Sequence, residues 1–132
     1  MYYALQVGEV PIYETDEYGN IIYTDDGTPI ETGEYEIGYA SPVEFSNGIS
    51  GKLSEVLIEA FGINDTSLYA QMDYMENEYP FEVGTLIWKK SEIEYKDSGR
   101  TMVEPKSADY EVTGIVDEFP NQWSCLLKRK LK

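Results

Sequence analysis

Asp73 and the stretch Glu94-Tyr95-Lys96 are the residues whose types and spacing come nearest to a metal-dependent active site. In some nucleases an acid is followed about twenty residues later by E-x-K, which places two carboxylates and a lysine around Mg²⁺. The chain contains 25 acidic and ten basic residues, so such triplets arise easily by chance. A strand carrying "EIEYK" is more typical of a solvated sheet edge, and we therefore expect no catalytic residues here.

The absence of histidine from the sequence limits the chemistry further. Histidine is the commonest general base near neutral pH, and without it Ser-His-Asp and Cys-His arrangements are excluded. The single cysteine, Cys125, excludes an internal disulfide and, with no histidine, the common zinc sites. Ser50 in "NGISGK" matches neither G-x-S-x-G nor a phosphate-binding loop. The sequence thus predicts a protein without catalytic residues, bound metal or cofactor.

Two short stretches, "TDEYGN" at 15–20 and "TDDGTP" at 24–29, combine Asp and Gly with polar neighbours. Their carboxylates could ligate Ca²⁺, but neither stretch follows the EF-hand order D-x-[DN]-x-[DN]-G. Because Asp bonds its own backbone and Gly supplies positive φ, both stretches are typical of turns. The weak similarity of "YETDEYGNII" to "YTDDGTPI" indicates a protruding hairpin or a pair of loops. We expect an inserted acidic arm or loop at about residues 14–34.

The charge of the chain is strongly negative and unevenly distributed. The formal net charge is −15, and residues 1–51 contain ten acids but neither lysine nor arginine. Such a field repels phosphate backbones, which argues against ordinary nucleic-acid binding, and it also keeps a protein soluble.

The last five residues, by contrast, carry four positive charges. The alternation in "QWSCLLKRKL" predicts a terminal strand with one basic and one apolar face. The basic face would comprise Lys128, Lys130 and Lys132, and the apolar face Trp123, Cys125, Leu127 and Leu131. Lysines on the outer face of such a strand discourage edge-to-edge pairing. The alternative is that they dock onto an acidic partner surface.

Short alternating segments separated by Gly, Asp and Pro turns dominate the rest of the chain. Strand-like patterns occur at residues 2–7, 10–13, 21–24, 33–45, 69–75, 85–93, 109–118 and 122–131, with a bend at 119–121. Leu53, Val56, Leu57, Ala60 and Phe61 fall at helical spacing before Gly62, which predicts a short helix, although an extended strand is the alternative.

These patterns predict a mainly β fold, either a small antiparallel β-barrel or a sandwich, with long loops and one short helix. An SH3-like barrel is one version of the barrel. At 132 residues we expect a single domain, 1–132, with a loop and helix excursion at about residues 50–80. The first residues lack a basic n-region, and no run approaches the ~18 apolar residues of a membrane span, so neither export by a signal peptide nor membrane insertion is expected.

The large apolar residues divide into candidate core and candidate interface. We assign the core role to Leu57, Phe61, Trp88, Val112 and Trp123. Tyrosine offers rigid contact area with a polar tip, and charged groups steer partners, so both are favoured at interfaces. The candidate interface residues are Tyr18, Tyr23, Asp25, Asp26, Tyr74, Tyr79, Lys128 and Lys130.

Four segments together resemble a known family. They are "YYALQVGEVPIY" running into "DEYGN", then "TGEYEIGYASPVEFSNGIS", "YPFEVGTLIW" and the closing "ADYEVTGIVDEFPNQWSCLLKRKL". This set resembles the head-closure, or stopper, type of neck proteins, which are head-tail connectors of tailed bacteriophages that infect Gram-positive bacteria. The resemblance excludes residues 63–79 and the inserted "IIYTDDGTPI", which departs from the family in the first loop.

The resemblance implies a virion protein of the phage neck, made in the host cytoplasm, with no catalytic residues. It implies a small β-barrel or sandwich that assembles with itself as a ring, sixfold or twelvefold, between the portal or its adaptor and the tail proteins. DNA would pass such a ring without specific binding, and an acidic wall would keep the duplex from adhering. Two alternatives remain open: another phage tail or baseplate adaptor, and an acidic inhibitor that imitates DNA.

Overall fold

Most regular structure in the protein is β-strand, in a computed structural model that describes residues 1–96, 100, 102–119 and 121–131. The strands are β1 (Tyr2–Ala4), β2 (Gln6–Tyr13), β3 (Glu31–Tyr39), β4 (Val43–Glu44), β5 (Tyr69–Met75), β6 (Leu86–Trp88), β7 (Tyr110–Phe119) and β8 (Gln122–Arg129). One helix, α1 (Glu55–Phe61), and two 3₁₀ turns, Thr66–Leu68 and Pro105–Ser107, complete the described elements.

Six of the strands form one antiparallel sheet in the order β4-β1-β6-β7-β8-β5, while β2 and β3 pair separately as a two-stranded hairpin. The predicted mainly β, sandwich-like fold with antiparallel strands and one short helix is confirmed. Closure into a barrel, SH3-like or other, is wrong. Strands β4 and β5 are the two edges of the main sheet and do not pair with each other in the described residues.

One face of the main sheet carries the larger part of the hydrophobic core. Ile87, Val112, Cys125 and Leu127 lie on this face and are fully buried. The outer side of this core is closed by aromatic rings in mostly edge-to-face contact, among them Tyr3, Phe45, Tyr74, Tyr79 and Phe81. Such pairs contribute about 0.5–1.5 kcal/mol each beyond their buried area.

The opposite face of the same sheet is also covered, because neighbouring residues of a strand point to opposite sides. Leu126, next to Leu127, packs there against Leu53 and Leu57 from helix α1 and the segment before it. Trp88, next to Ile87, packs in a second cluster with Ala4, Tyr39, Leu86, Val103 and Ala108. The two covered faces give the fold its layered, sandwich-like character.

Helix α1 forms where the apolar spacing predicts it. The Ser54 hydroxyl accepts a hydrogen bond from the Leu57 N–H at 3.4 Å, which caps the first turn. Gly62 ends the helix with φ of 61°, a left-handed conformation that favours glycine. Leu57 is fully buried, and Phe61 lies over Gly114 of β7 although it is 39% exposed. Of the other predicted core residues, Trp88 and Val112 are buried, while Trp123 is partly buried against the same core.

The C-terminal strands pair as a hairpin, but β8 is not an edge strand. It lies between β7 and β5 and pairs with both, so the interpretation of its lysines as edge protection is wrong. Leu126 is buried on the face assigned to the lysines because α1 covers that face there, and Leu131, assigned to the apolar face, is 86% exposed beyond the strand. Pro120, in the predicted bend at 119–121, and Lys132 lie outside the described residues.

Three predicted strands are shorter, divided or absent. The pattern at 33–45 is divided between β3 and β4, with residues 40–42 in neither strand. Residues 21–24 make only isolated bridges, Thr15 with Ile21 and Tyr23 with Pro29, because they belong to tight loops. The strand predicted at 85–93 ends at Trp88, because the carboxylate of Asp109 binds the N–H groups of the next three residues. No helix within the described part of the chain has the length and apolar character needed to cross a membrane.

Candidate interaction surface

The hairpin of β2 and β3, with residues 14–30 between the two strands, is the most acidic feature of the protein and is called here the acidic hairpin. It continues from the edge pair β1 and β4, since the Ala40 N–H donates to the Leu5 carbonyl at 2.8 Å between the two pairs. Ala4 pairs with Leu86, so the hairpin leaves the main sheet at the end where β6 begins. A salt bridge between Glu36 and Lys96 joins it to the body of the protein.

The tip of the acidic hairpin, residues 14–30, is built on an eight-residue repeat. Glu14, Ile22 and Ile30 form a closed cycle of backbone hydrogen bonds. The Glu14 N–H donates to the Ile30 carbonyl at 2.8 Å. The Ile30 N–H donates to the Ile22 carbonyl at 3.0 Å, and the Ile22 N–H donates to the Glu14 carbonyl at 2.9 Å. This cycle closes the base of two loops, residues 15–21 and 23–29, and holds them side by side.

The two loops have the same backbone hydrogen bonds at equivalent positions. In the first loop, the Asp16 N–H donates to the Asn20 carbonyl at 2.9 Å, and the Gly19 N–H donates to the Asp16 carbonyl at 3.1 Å. In the second, Thr24 and Gly27 take the places of Asp16 and Gly19, at 2.8 and 3.0 Å. Gly19 and Gly27 have φ of 82° and 86°, as a three-residue hairpin loop with glycine in its last position requires. The loops are therefore well-defined turns.

The carboxylates of the tip divide into those that build the loops and those that face solvent freely. Asp16 accepts the N–H groups of Tyr18 and Asn20, and Asp26 accepts from the Thr24 hydroxyl and the Thr28 N–H. The Thr24 bond, followed by those of Thr28, lowers the pKa of Asp26. Glu17 and Asp25 occupy the same position in the two loops. Both are exposed, and neither has a hydrogen-bond or ion-pair partner among the described residues. They are the charges most available to a partner.

The structure separates the four tyrosines of the predicted interface into two pairs. Tyr18 and Tyr23 lie at the tip, and Tyr18 is 80% exposed. Tyr74 is 4% exposed and packs in the core beside Trp123, so it presents no surface to a partner. Tyr79 is half-buried and stacks on Phe81 at 5.0 Å, with its hydroxyl donating to the Ser46 carbonyl at 2.8 Å. Asp25 and Asp26 join Tyr18 and Tyr23 at the tip.

Tyr74 and Cys125 carry polar groups into the same hydrophobic core. The Tyr74 hydroxyl is the one buried side-chain polar atom without a hydrogen-bond partner in the described residues. Burial raises the pKa of Tyr74, and burial likewise raises the pKa of the Cys125 thiol to about 12. A thiol that stays protonated at neutral pH is a poor nucleophile, so Cys125 is a packing residue.

A second charged surface, called here the basic patch, gathers Lys89, Lys90, Arg129 and Lys130 around a depression of about 390 Å³. Lys89 and Lys90 follow Trp88, so the patch lies at the end of the sheet where β6 finishes. The Arg129 guanidinium donates to the Tyr110 hydroxyl at 3.1 Å and lies 5.6 Å above its ring centroid. Of the two predicted interface lysines, Lys130 belongs to the patch, whereas Lys128 faces solvent opposite Glu111.

Asp109 organises the backbone under the basic patch. Its carboxylate accepts the N–H groups of Lys89, Lys90 and Ser91 at 2.8 to 3.0 Å and the Ser91 hydroxyl at 2.6 Å. Partial burial alone would raise the pKa of Asp109, but the bonds from Ser91, Lys90 and Lys89 outweigh it and hold the pKa well below its usual range. No pattern in the sequence marks Asp109, because its donors are backbone groups about twenty residues earlier.

The structure does not bring together the residues considered for metal chemistry. Asp73 lies on the edge strand β5 and accepts hydrogen bonds from Ser124 and Gln71 at 2.6 and 2.8 Å. Strands β8 and β7 separate it from β6, and Lys96 pairs with Glu36. In the described part of the chain no three His, Cys, Asp or Glu side chains are grouped as metal ligands.

The two charged surfaces, the acidic hairpin and the basic patch, are suited to binding a partner of opposite charge. The sequence indicated the loops and one lysine of the patch. It missed Glu17. The weak similarity of the two loop segments indicated a pair of loops, but not their eight-residue period, which the spacing of Gly19 with Gly27 and of Ile22 with Ile30 carries. Comparisons with protein-family models, curated proteins and solved structures find no match for this chain.

Proposed function

We propose that the protein is a structural component of the neck of a tailed bacteriophage, a head-closure or stopper protein that links the portal or its adaptor to the tail. The resemblance of four segments of the sequence motivates this proposal. The observation that carries it furthest is the acidic hairpin, an element outside the main sheet whose hydrogen-bonded loops expose acids and tyrosines that could contact other proteins.

The charge distribution supports the same function. Residues 1–51 hold ten acids and no lysine or arginine, and this segment includes the whole acidic hairpin. In a ring around a DNA channel, such a surface repels the phosphate backbone and lets the duplex move without adhering. A small β fold with a projecting loop pair suits a protein that joins rings above and below it.

The decisive experiment removes the gene from a phage that encodes this protein. We expect heads that package DNA, lack tails and then lose the packaged DNA, because nothing closes the channel. Free tails should be present in the same lysate. Purified protein added to the lysate should restore infectious particles, and protein with the tip shortened to a two-residue turn should not. Normal virions from the deletion, or a defect confined to a baseplate on otherwise joined particles, would overturn the proposal.

A binding measurement separates the proposal from the DNA-mimic alternative. Purified protein mixed with the portal and adaptor of the same phage should raise the mass of that complex by a whole number of subunits in native mass spectrometry. Tight binding to a DNA-binding enzyme, relieved by competing duplex DNA, would instead establish the mimic.

A further inference from the structure

We propose that the tip of the acidic hairpin of one copy docks onto the basic patch of a second copy, so that the protein associates head to tail. The proposal deepens the proposed ring assembly and rests on it for its biological setting. Its physical basis is the opposite charge of two exposed surfaces on the same chain.

The first observation is the concentration of unpaired positive charge. Lys89, Lys90, Arg129 and Lys130 are four of only ten basic residues in a chain of net charge −15, yet they line one depression. Asp109 also lines it, but its carboxylate is bound by backbone N–H groups, so the depression keeps a net positive charge. The Glu36–Lys96 pair is the one salt bridge found among the described residues, so these four cations have no carboxylate within salt-bridge distance there. Clustered like charges repel one another, and a partner of opposite charge relieves that repulsion.

The second observation is that the tip supplies matching charge in a fixed arrangement. Glu17 and Asp25 occupy equivalent positions of two loops that are tied together by the Glu14, Ile22 and Ile30 cycle. Because the loops are already ordered, little conformational entropy is lost when they bind. Charge complementarity of this kind sets the orientation of a contact and speeds its formation.

The third observation is that the two charged surfaces lie at different ends of the main sheet. The acidic hairpin leaves the main sheet where β6 begins, and the basic patch lies where β6 ends. Two different surfaces at opposite ends of the sheet make a heterologous contact, which continues from copy to copy and closes into a ring when the rotation allows. A contact with the patch of a second copy therefore extends to a third without any new surface.

Exposed apolar side chains accompany both charged surfaces. Tyr18 and Tyr23 on the tip are 80% and 56% exposed, and Leu131 follows Lys130 with 86% of its surface exposed. Burying such groups contributes about 25 cal/mol for each Å² removed from water, which adds affinity to the orientation set by charge. A contact between these two surfaces would therefore combine charged groups with apolar area, as protein interfaces do.

The test combines chemical cross-linking with isotope labelling. A carbodiimide joins a carboxylate directly to a lysine amine when the two are in contact. Equal amounts of ¹⁴N- and ¹⁵N-labelled protein, cross-linked in about 0.1 M salt and digested with pepsin, should give mixed-isotope peptides that join Glu17 or Asp25 to Lys89, Lys90 or Lys130. Mixed isotopes show that the link is between copies.

Charge reversal tests the same contact quantitatively by sedimentation velocity. Asp25→Lys and Lys90→Glu should each weaken self-association by at least about fivefold, as expected when an attraction of about 1 kcal/mol is lost. A matched reversal at an exposed site elsewhere, Glu59→Lys on helix α1, should change it by less than about twofold. A mixture of Asp25→Lys with Lys90→Glu should associate again, because each copy then meets a complementary surface.

A wild-type protein that remains monomeric up to its solubility limit and gives no mixed-isotope link would overturn the proposal. Equal association of the reversed and wild-type proteins would also overturn it. If Lys90→Glu does not fold, the Asp25→Lys variant and the cross-link map decide alone. Binding to the portal complex without any hairpin-to-patch link would refute the proposed contact. It would not contradict the proposed neck function.

Discussion

At the scale of single residues, Asp109 shows how one carboxylate decides a local fold. Three consecutive backbone N–H groups and a hydroxyl converge on it, which ends β6 and turns the chain beneath the basic patch. A carboxylate accepts such bonds better than a neutral amide does, because bonds to an ionised group are shorter and stronger. Asp109 is therefore a stabilising residue beside a candidate interface.

We expect Asp109→Asn to lower the free energy of unfolding by about 1–2 kcal/mol at pH 7. Bonds to a charged group contribute about 1.5–3 kcal/mol, and the partial solvent exposure of Asp109 reduces that figure. Urea denaturation followed by tryptophan fluorescence measures the change. Asp117→Asn, at an exposed position of β7, is the matched control and should stay within about 0.5 kcal/mol of the wild type.

The same pair of proteins should show a defined pH dependence. The folded-state pKa of Asp109 lies below its unfolded value of about 3.9, so its stabilisation is fully present above that value and is lost as pH falls through the folded pKa. The stability gap between wild type and Asp109→Asn should be equal at pH 7 and pH 5 and smaller at pH 3. A gap that closes between pH 7 and pH 5 would show that another group titrates.

At the scale of elements, the tip of the acidic hairpin is a unit with its own cooperativity. Gly19→Ala and Gly27→Ala each place a Cβ at positive φ, which costs about 1 kcal/mol. Hydrogen exchange at the Glu14, Ile22 and Ile30 amides should accelerate by about fivefold, while the global melting temperature hardly changes because the tip lies outside the core. Gly48→Ala, where φ is not positive and the space is open, serves as control.

Exchange that accelerates only at the loop carrying the substitution would contradict this expectation. It would mean that the two loops open independently and that the backbone cycle does not couple them.

Phe61 adds a contact with Gly114 to the buried leucines, Leu53 and Leu57, that hold helix α1 on the main sheet. A Cβ added at Gly114 would lie 2.3 to 3.0 Å from atoms of the Phe61 ring, closer than van der Waals contact allows. We expect Gly114→Ala to destabilise the protein by about 1–2 kcal/mol, at the lower end for overpacking because the half-exposed ring is able to move. In a double-mutant cycle with Phe61→Ala, the combined loss should be smaller than the sum of the single losses. Simple additivity would show that the ring does not rest on Gly114.

The elements most predictable from the sequence are those with local signals. Helix α1 has apolar spacing, a serine cap and a terminal glycine within ten residues, and all three lie where the structure uses them. The central position of β8 has no local signal, because pairing with β5 joins residues some fifty positions apart. Alternation alone therefore placed Lys128 correctly on the outside, but it gave no sign that Leu126, two residues earlier on the same face, is hidden under the helix.

At the scale of the whole molecule, the sequence predicted the class of fold and the sign of the surface but not their arrangement. The acidity of residues 1–51 is visible in the sequence itself, whereas the basic patch forms only when the sheet brings the ends of β6 and β8 to either side of the start of β7. Charge that is local in sequence is therefore predictable, and charge that is assembled by topology is not. The candidate site consists of one surface of each kind.

Net charge of −15 on a small protein should make its stability depend on salt in a particular direction. Like charges concentrated in residues 1–51 repel more strongly in the folded state than in the expanded chain. Added salt at 0.1 M largely screens this repulsion between exposed charges more than about 10 Å apart. The opposing contribution is small, because the described residues hold one surface salt bridge, and such a pair is worth about 0–1 kcal/mol.

We expect the melting temperature to rise between about 10 and 200 mM NaCl. Sodium perchlorate at equal ionic strength should give a rise in the same direction, since screening depends on ionic strength, and a fall in melting temperature in NaCl would mean that attractive pairs outweigh the repulsion.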